Sequence, residues 1–404
     1  MLTIRLKDGK DKAARRHHPW VFSGAIDSIS EDEKGFAEVL STDDYFIAYG
    51  WYDAKSHIPL HLLSWNRNDK ADESLIRKLT RESIARRKAF FSLPDTTAFR
   101  LIHGDADNLP GVAADAYGKE IRIIVSSRFA DDNLHIIAEE MNSCLHPSII
   151  EAVTDKQFSS LEGISERIRH FRDGKEAKEE GTRENARFIE SGIWHEAAPG
   201  KGQKSGFYCD QRDNRNAIER YAEGKTVLDL FSYTGGFTLH ALRGGALSVD
   251  SVDSSESALR HLLFQIHLNE DKGTIPQRSR ERVTITDTNA FEYIRGVEDG
   301  KYDMMILDPP KLAKTKGNLE NAMKAYKDLN RIAMMKIKKG GIIATFSCSG
   351  ALTREDFRKV LEWAAADAHK DVEILHTLSQ GEDHPVRLAF PESEYLKGYI
   401  LRVL

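Results

Sequence analysis

The chain has 404 residues, more than one typical domain, and its 40% hydrophobic and 30% charged content describes a soluble globular protein of two or three domains. No apolar run approaches the roughly 20 residues that cross a bilayer, and the basic, polar stretch Met1–Trp20 lacks the pattern of a secretory leader, so a cytoplasmic location is expected. Three cysteines, Cys144, Cys209 and Cys348, odd in number and far apart, argue against a disulfide framework and a metal site, while a net charge of −5 leaves local basic patches to decide whether nucleic acid binds.

Residues 1–68 hold short β-type runs (Leu2–Leu6, Phe36–Leu40, Phe46–Tyr52, Leu60–Trp65) and read as a small β-rich domain. Its first 20 residues carry six Lys/Arg, Arg15 and Arg16 among them, against Asp8 and Asp11. A second basic run, Arg77, Lys78, Arg81, Arg86, Arg87 and Lys88, falls on the helix predicted over 72–91. Either run can face phosphates, and either can be a solvated face. From Phe99 to about Ile193 an α+β segment is expected, with strands at Phe99–His103 and Ile121–Ser126 and a helix over Asn133–Cys144. The polar run Arg172–Asn185 reads as an exposed loop or hairpin. From about Lys225 strands alternate with helices, the pattern of a parallel, doubly wound sheet. The expected strands are Thr226–Phe231, Ser248–Asp253, Val283–Thr286, Tyr302–Leu307, Gly341–Ser347, Val372–Leu378 and Tyr399–Val403.

Ligands of such sheets bind beyond the carboxyl ends of the strands, where four features of this sequence fall. In Asp229-Leu-Phe-Ser-Tyr-Thr-Gly-Gly-Phe237, Gly235 and Gly236 allow close backbone approach, although ordinary strand–helix turns carry glycines too. The spacing is not GxGxxG, which disfavours a nicotinamide dinucleotide. Asp253 ends the next strand, where a carboxylate can accept from both hydroxyls of a ribose; it can equally cap the helix that begins near Ser255. Asn289 has the same two readings, adenine contact or helix cap. In Ile306-Leu-Asp-Pro-Pro-Lys311 a strand delivers Asp308 into two prolines that hold the chain extended, a rigid edge suited to a planar base. In Thr345-Phe-Ser-Cys-Ser-Gly350, Cys348 lies where the fifth strand opens into the crevice. A lone cysteine is often inert packing, but among small polar residues at this position it reads as a nucleophile.

At these residues the sequence resembles, over essentially its whole length, the bacterial 23S ribosomal RNA cytosine-5 methyltransferases with an N-terminal PUA domain. Arg16-His-His-Pro-Trp-Val-Phe-Ser-Gly24 is similar to that family's PUA opening, and Leu109-Pro-Gly111 with Asp115 to its central domain. Ser205-Gly-Phe-Tyr-Cys-Asp-Gln-Arg212 resembles its entry into the catalytic domain. Phe231–Phe237, Asp308–Lys311 and Phe346–Gly350 resemble its methyl-donor loop, base-holding motif and nucleophile motif, and Asp383–Val386 and Tyr395–Tyr399 also match. Asn289 stands where an acid is common, and Cys209 where an aliphatic residue is usual.

The resemblance implies an α/β fold: a class I (Rossmann-like) methyltransferase domain over 194–404, preceded by a small β-rich PUA domain (1–70) and a connector helix with a central α+β domain (71–193). It implies S-adenosylmethionine as cofactor, held by Phe231, Ser232, Tyr233, Thr234, Gly235, Gly236, Asp253, Asn289 and Gln211. Cys348 and Asp308 are then catalytic, with Pro309, Pro310, Lys311, Arg15 and Arg16 at the RNA and no metal. The expected partner is 23S ribosomal RNA, with unassembled large-subunit RNA and an assembled particle both open as its form; the oligomeric state, a homodimer among the readings, is open too, and no membrane is expected. Uracil-5 methylation, methylation of an exocyclic amine with Cys348 a bystander, and a non-catalytic RNA-binding assembly factor are the alternatives.

Overall fold

The structure, a computed structural model, describes residues 1–31, 33–178, 185–197, 206–312 and 316–404. The Ser205 that opens one family-like motif, and most of the polar run ending at Asn185, lie outside the described residues. Contacts divide the chain into two units. The first comprises Met1–Phe188, Glu196–Cys209 and Asp383–Ser393; the second comprises Ile189–His195, Asp210–Glu382 and Glu394–Leu404.

The first unit contains two six-stranded sheets. In the first, Leu2–Leu6 runs parallel to Gly35–Leu40, which continues antiparallel into Phe46–Tyr52 and Leu60–Ser64. Alternation along Leu2–Leu6 puts Leu2, Ile4 and Leu6 inside, against Val39, Ala48 and Leu62. In the second sheet, Glu120–Val125 crosses over through the helix Arg128–Leu145 to the parallel strand Ile149–Thr154. The helix Glu73–Arg86, capped by the Asp72 carboxylate accepting from the Ser74 N–H, packs into the same core. The polar run near 172 begins as a hairpin, Ile168–Arg172 with Lys175–Ala177, turning at Asp173-Gly174, both with positive φ.

The second unit is built on a seven-stranded sheet. Its elements are β1 (Thr226–Leu230), α1 (Gly236–Arg243), β2 (Ser248–Asp253), α2 (Glu256–Lys272), β3 (Val283–Asp287), α3 (Ala290–Gly296), β4 (Met304–Leu307), α4 (Leu319–Lys336), β5 (Ile342–Ser347), α5 (Arg354–Asp367), β6 (Val372–Ser379) and β7 (Lys397–Val403). The strand order is β3-β2-β1-β4-β5-β7-β6, parallel except for β7, which runs antiparallel to both neighbours. Successive residues of β1 face opposite layers. Leu228 and Leu230 join Ile294, Tyr326, Leu329 and Phe357, whereas Val227 joins Leu239, Leu242, Leu262 and Ile266. The strand order reverses between β1 and β4, which opens a crevice at their carboxyl ends. Among the described residues no helix is long and apolar enough to cross a membrane, and no cluster of His, Cys, Asp or Glu is suited to a metal ion.

Candidate active site

The loop after β1 is tightly wound. Phe231, Tyr233 and Gly235 all have positive φ (+64°, +48° and +85°), a conformation that costs a residue with a side chain roughly 1–2 kcal/mol. Such strain persists only where the surroundings enforce it. The Asp253 carboxylate is one enforcing group: its Oδ2 accepts from the Tyr233 N–H at 2.9 Å, and its Oδ1 from the Ser255 N–H at 2.8 Å. Asp253 therefore ties the loop to the start of α2, and in part fills the capping role open to it from sequence. Close packing does the rest. A Cβ on Gly235 would lie 2.0 Å from Leu262 Cδ1, and one on Gly236 would lie 2.6 Å from Arg215 Nε. Phe231 packs edge-on against Phe291 at 5.2 Å.

Beneath this loop lies Asp229, fully buried at the end of β1. Thr238 Oγ1 donates to its Oδ2 at 2.7 Å, while Oδ1 and the buried Ser232 Oγ have no hydrogen-bond partner among the described residues. Burial pushes the Asp229 carboxyl up to about 7, with the charges of Asp308 and Asp253 adding to the rise and the Thr238 hydroxyl opposing it. Two orphaned buried polar atoms beside a turn that a Cβ would fill fit a polar ligand approaching the backbone closely. In the sequence Asp229 belongs to the motif but carries no evident part; only its burial singles it out.

The other predicted residues fall as follows. Asn289 caps α3, its Oδ1 accepting from the Phe291 N–H at 2.9 Å, so the capping reading describes this oxygen. Gln211 is buried and accepts from Asn214 Nδ2 at 2.6 Å. Thr234 is half-buried in the loop. Asp308 is half-buried after β4, Pro309 is buried, and Pro310 and Lys311 are exposed. Cys348, half-buried just after β5, has its Sγ 3.9 Å from the Pro309 carbonyl oxygen. The nucleophile candidate and the Asp-Pro-Pro edge are thus adjacent. Tyr326, buried on α4, shares a hydrogen bond with Ser349 Oγ at 3.2 Å. Burial and the nearby Cys348 raise the Tyr326 phenol to about 12.

Arg15 and Arg16 belong to the first unit, both exposed, with Arg15 Nε donating to Asp11 at 2.6 Å. The second basic run is largely neutralised within its own unit. Arg77 and Arg81 pair with Glu139 and Glu140, Lys78 with Asp69, and Arg86 and Arg87 with Asp107. That favours the reading of this run as a paired helix face over one as a phosphate contact.

Strand order, crevice and glycine turn define a class I methyltransferase fold that takes S-adenosylmethionine. The S-adenosylmethionine-dependent methyltransferase family matches residues 169–392, and the PUA-like domain family matches residues 4–65. Over their whole lengths, a protein solved with SAH and assigned as a methyltransferase superposes with a TM-score of 0.83 at 22% identity. A SAM-dependent methyltransferase assigned from Streptococcus mutans superposes at 0.81 and 21%. The chain is 33% identical to the ribosomal RNA large subunit methyltransferase I of Aliivibrio fischeri, covering 100% of both. It is 34% identical to that of Photobacterium profundum, covering 98% of both. The chain belongs to this methyltransferase family.

Proposed function

We propose that this chain methylates carbon 5 of a cytosine in 23S ribosomal RNA, in the cytoplasm, through a covalent adduct of Cys348. The carrying observation is the position of Cys348, half-buried at the end of β5 with its sulfur against the Pro309 carbonyl of the Asp-Pro-Pro edge. The relatives' activity on large-subunit RNA supports the substrate class. Bound S-adenosylmethionine supplies an electrophilic methyl group. Phe231–Gly236 would cradle it, with Asp253 to accept from the ribose hydroxyls, Asn289 to offer its Nδ2 to the adenine and Gln211 to border the pocket. Carbon 5 of a pyrimidine is a poor nucleophile until the ring's aromaticity is broken. Addition of the Cys348 thiolate to carbon 6 does this, and loss of the carbon 5 proton after transfer expels the thiolate. Asp308 hydrogen-bonds or protonates the N3 region of the ring, with the shared proton lying between its carboxyl group and N3, and so stabilises the adduct, while Pro309, Pro310 and Lys311 frame the base. The base must leave its stack, which favours loops or partly unfolded RNA as substrate. Residues 1–70 with Arg15 and Arg16 serve RNA capture, 71–193 the link, and 194–404 the chemistry.

Cys348→Ser should abolish methyl transfer with S-adenosylmethionine affinity unchanged, because the change is nearly isosteric and a hydroxyl ionises far less readily. Cys144→Ser and Cys209→Ser should stay active. RNA carrying 5-fluorocytosine at the target should form a stable adduct with the parent protein, visible as a shifted band on a denaturing gel. Substantial turnover by a folded Cys348→Ser protein would overturn the covalent route.

A further inference from the structure

Lys397, the first residue of β7, is 1% exposed, and β7 lies between β5 and β6 in the sheet interior. Its Cα pairs with that of Ser347, the residue before Cys348, on one side and with that of Ser379 on the other. The ammonium reaches the nucleophile turn: Nζ donates to the Ser349 carbonyl at 2.9 Å and to the Tyr395 carbonyl at 3.0 Å. Both partners are neutral. Among the described residues the nearby acid, Glu394, is paired with Arg354 at 2.7 Å. An ammonium taken out of water without a carboxylate is an expensive arrangement, since two carbonyl dipoles replace only part of its hydration. A lysine so placed has its charge available to an anion that forms beside it, and the Cys348 thiol, one residue before the carbonyl that Lys397 holds and within reach of its charge, is a group that can become one.

We propose that Lys397 is the positioning residue of the nucleophile turn: it clamps the Ser349 carbonyl from within the sheet and supplies the positive charge that stabilises the Cys348 thiolate. The inference rests on the reading of Cys348 as the nucleophile. A cation beside a thiol favours its ionised form, with the thiol proton leaving to solvent. Burial lowers the Lys397 ammonium to about 8, with Arg354 and Lys311 adding to the fall and Glu394 and Cys348 opposing it. The lysine therefore carries its charge at neutral pH and gives it up as pH rises through that value. The other charged or titratable groups around this pair are Asp308 and Lys311 after β4, Tyr326 on α4, Arg354 of α5 with Glu394, and Asp210, which accepts from the Tyr395 hydroxyl at 2.6 Å.

The test compares Lys397→Met and Lys397→Arg in a chain with Cys144→Ser and Cys209→Ala, so that Cys348 is the sole thiol. The rate of iodoacetamide alkylation is followed from pH 6 to 10. For Lys397→Met the midpoint should rise by about one pH unit, which is about tenfold slower alkylation at neutral pH. Lys397→Arg should restore the low midpoint. Adduct formation with 5-fluorocytosine RNA should be slowed in the Met variant and recover at high pH, where the thiol ionises unaided. A clamp without an electrostatic role would show no such recovery. An unchanged alkylation midpoint in a folded Met variant that binds S-adenosylmethionine would overturn the proposal. If the Met variant does not fold, the Arg variant carries the test. Its guanidinium keeps its proton throughout the range, so its alkylation midpoint should stay at the parent's low value, and a midpoint about one pH unit above the parent's would overturn the proposal. Alkylation needs no RNA, so full activity of Cys348→Ser would overturn the nucleophile reading while the Lys397 comparison still reports on the thiol.

Discussion

Asp229 shows how burial alone changes what a side chain does. Its carboxyl, raised from 3.8 to about 7 chiefly by desolvation, stays protonated in the folded protein across a range in which the unfolded chain has already released the proton. The native state then binds more protons than the unfolded state, so the Asp229 contribution is fully present below about pH 4 and is lost as pH rises towards 7. A shift of this size corresponds to roughly 4 kcal/mol. Asp229→Asn cannot ionise, and its stability relative to the parent should climb between pH 4 and 8, as read from urea denaturation at each pH. Parallel stability curves would remove the shifted carboxyl. Little of this was legible in the sequence: Asp229 opens the glycine-turn motif and Lys397 lies in the family-like run Tyr395–Tyr399, but neither run marks its charged residue as buried. Cys348 and Asp308 could be singled out because their neighbours, small polar residues and two prolines, are unusual at strand ends. Lys397 could not: its partners are backbone carbonyls, and carbonyls leave no trace in composition.

The donor loop illustrates what an element adds to its residues. Gly235 combines a positive φ with a wall formed by Leu262 of α2, whereas Gly340, before β5, has a similar φ of +77° with nothing within 4 Å of the place a Cβ would take. Gly340→Ala should therefore cost only the backbone term, about 1–2 kcal/mol. Gly235→Ala adds overpacking of about 1–3 kcal/mol and should also weaken S-adenosylmethionine binding, checked by calorimetry beside thermal melts. Equal losses for the two variants would show that α2 yields freely. Elements with long apolar runs, such as β1 and β5, were predicted to within a residue or two. The strands Ile149–Thr154, Ile168–Arg172, Ala186–Glu190 and Ile193–Ala197 were not. They carry Glu151, His170, Glu190 and Glu196 at buried positions, which breaks the alternation that marks a strand. Glu151 lies near Arg122 and His170, and Arg215 pairs with Glu190; each of these partners except His170 is at least 25 residues away in sequence.

For the molecule as a whole, net charge is a poor guide to RNA binding because so many cations are already paired. Within the first unit the run from Arg77 to Arg87 is spent on carboxylates, while Arg16 is exposed and Arg15 shares its charge with Asp11. Removing one cation that neutralises a phosphate should flatten the dependence of RNA affinity on log salt by roughly 0.7 for single-stranded RNA. Arg16→Ala should show most of that change and Arg15→Ala less, with S-adenosylmethionine affinity unaltered. Equal slopes for parent and both variants would place the RNA surface elsewhere. The loop after β1, held in its wound form by Asp253 and Leu262, has one further consequence for turnover. On the proposed reading, a cradle that takes the ribose and adenine would hold the spent, demethylated donor by the same contacts as the fresh one, because those contacts are uniform between the two. Throughput inside a cell would then follow the ratio of fresh to spent donor more than the amount of either, and the enzyme would slow whenever removal of the by-product lags.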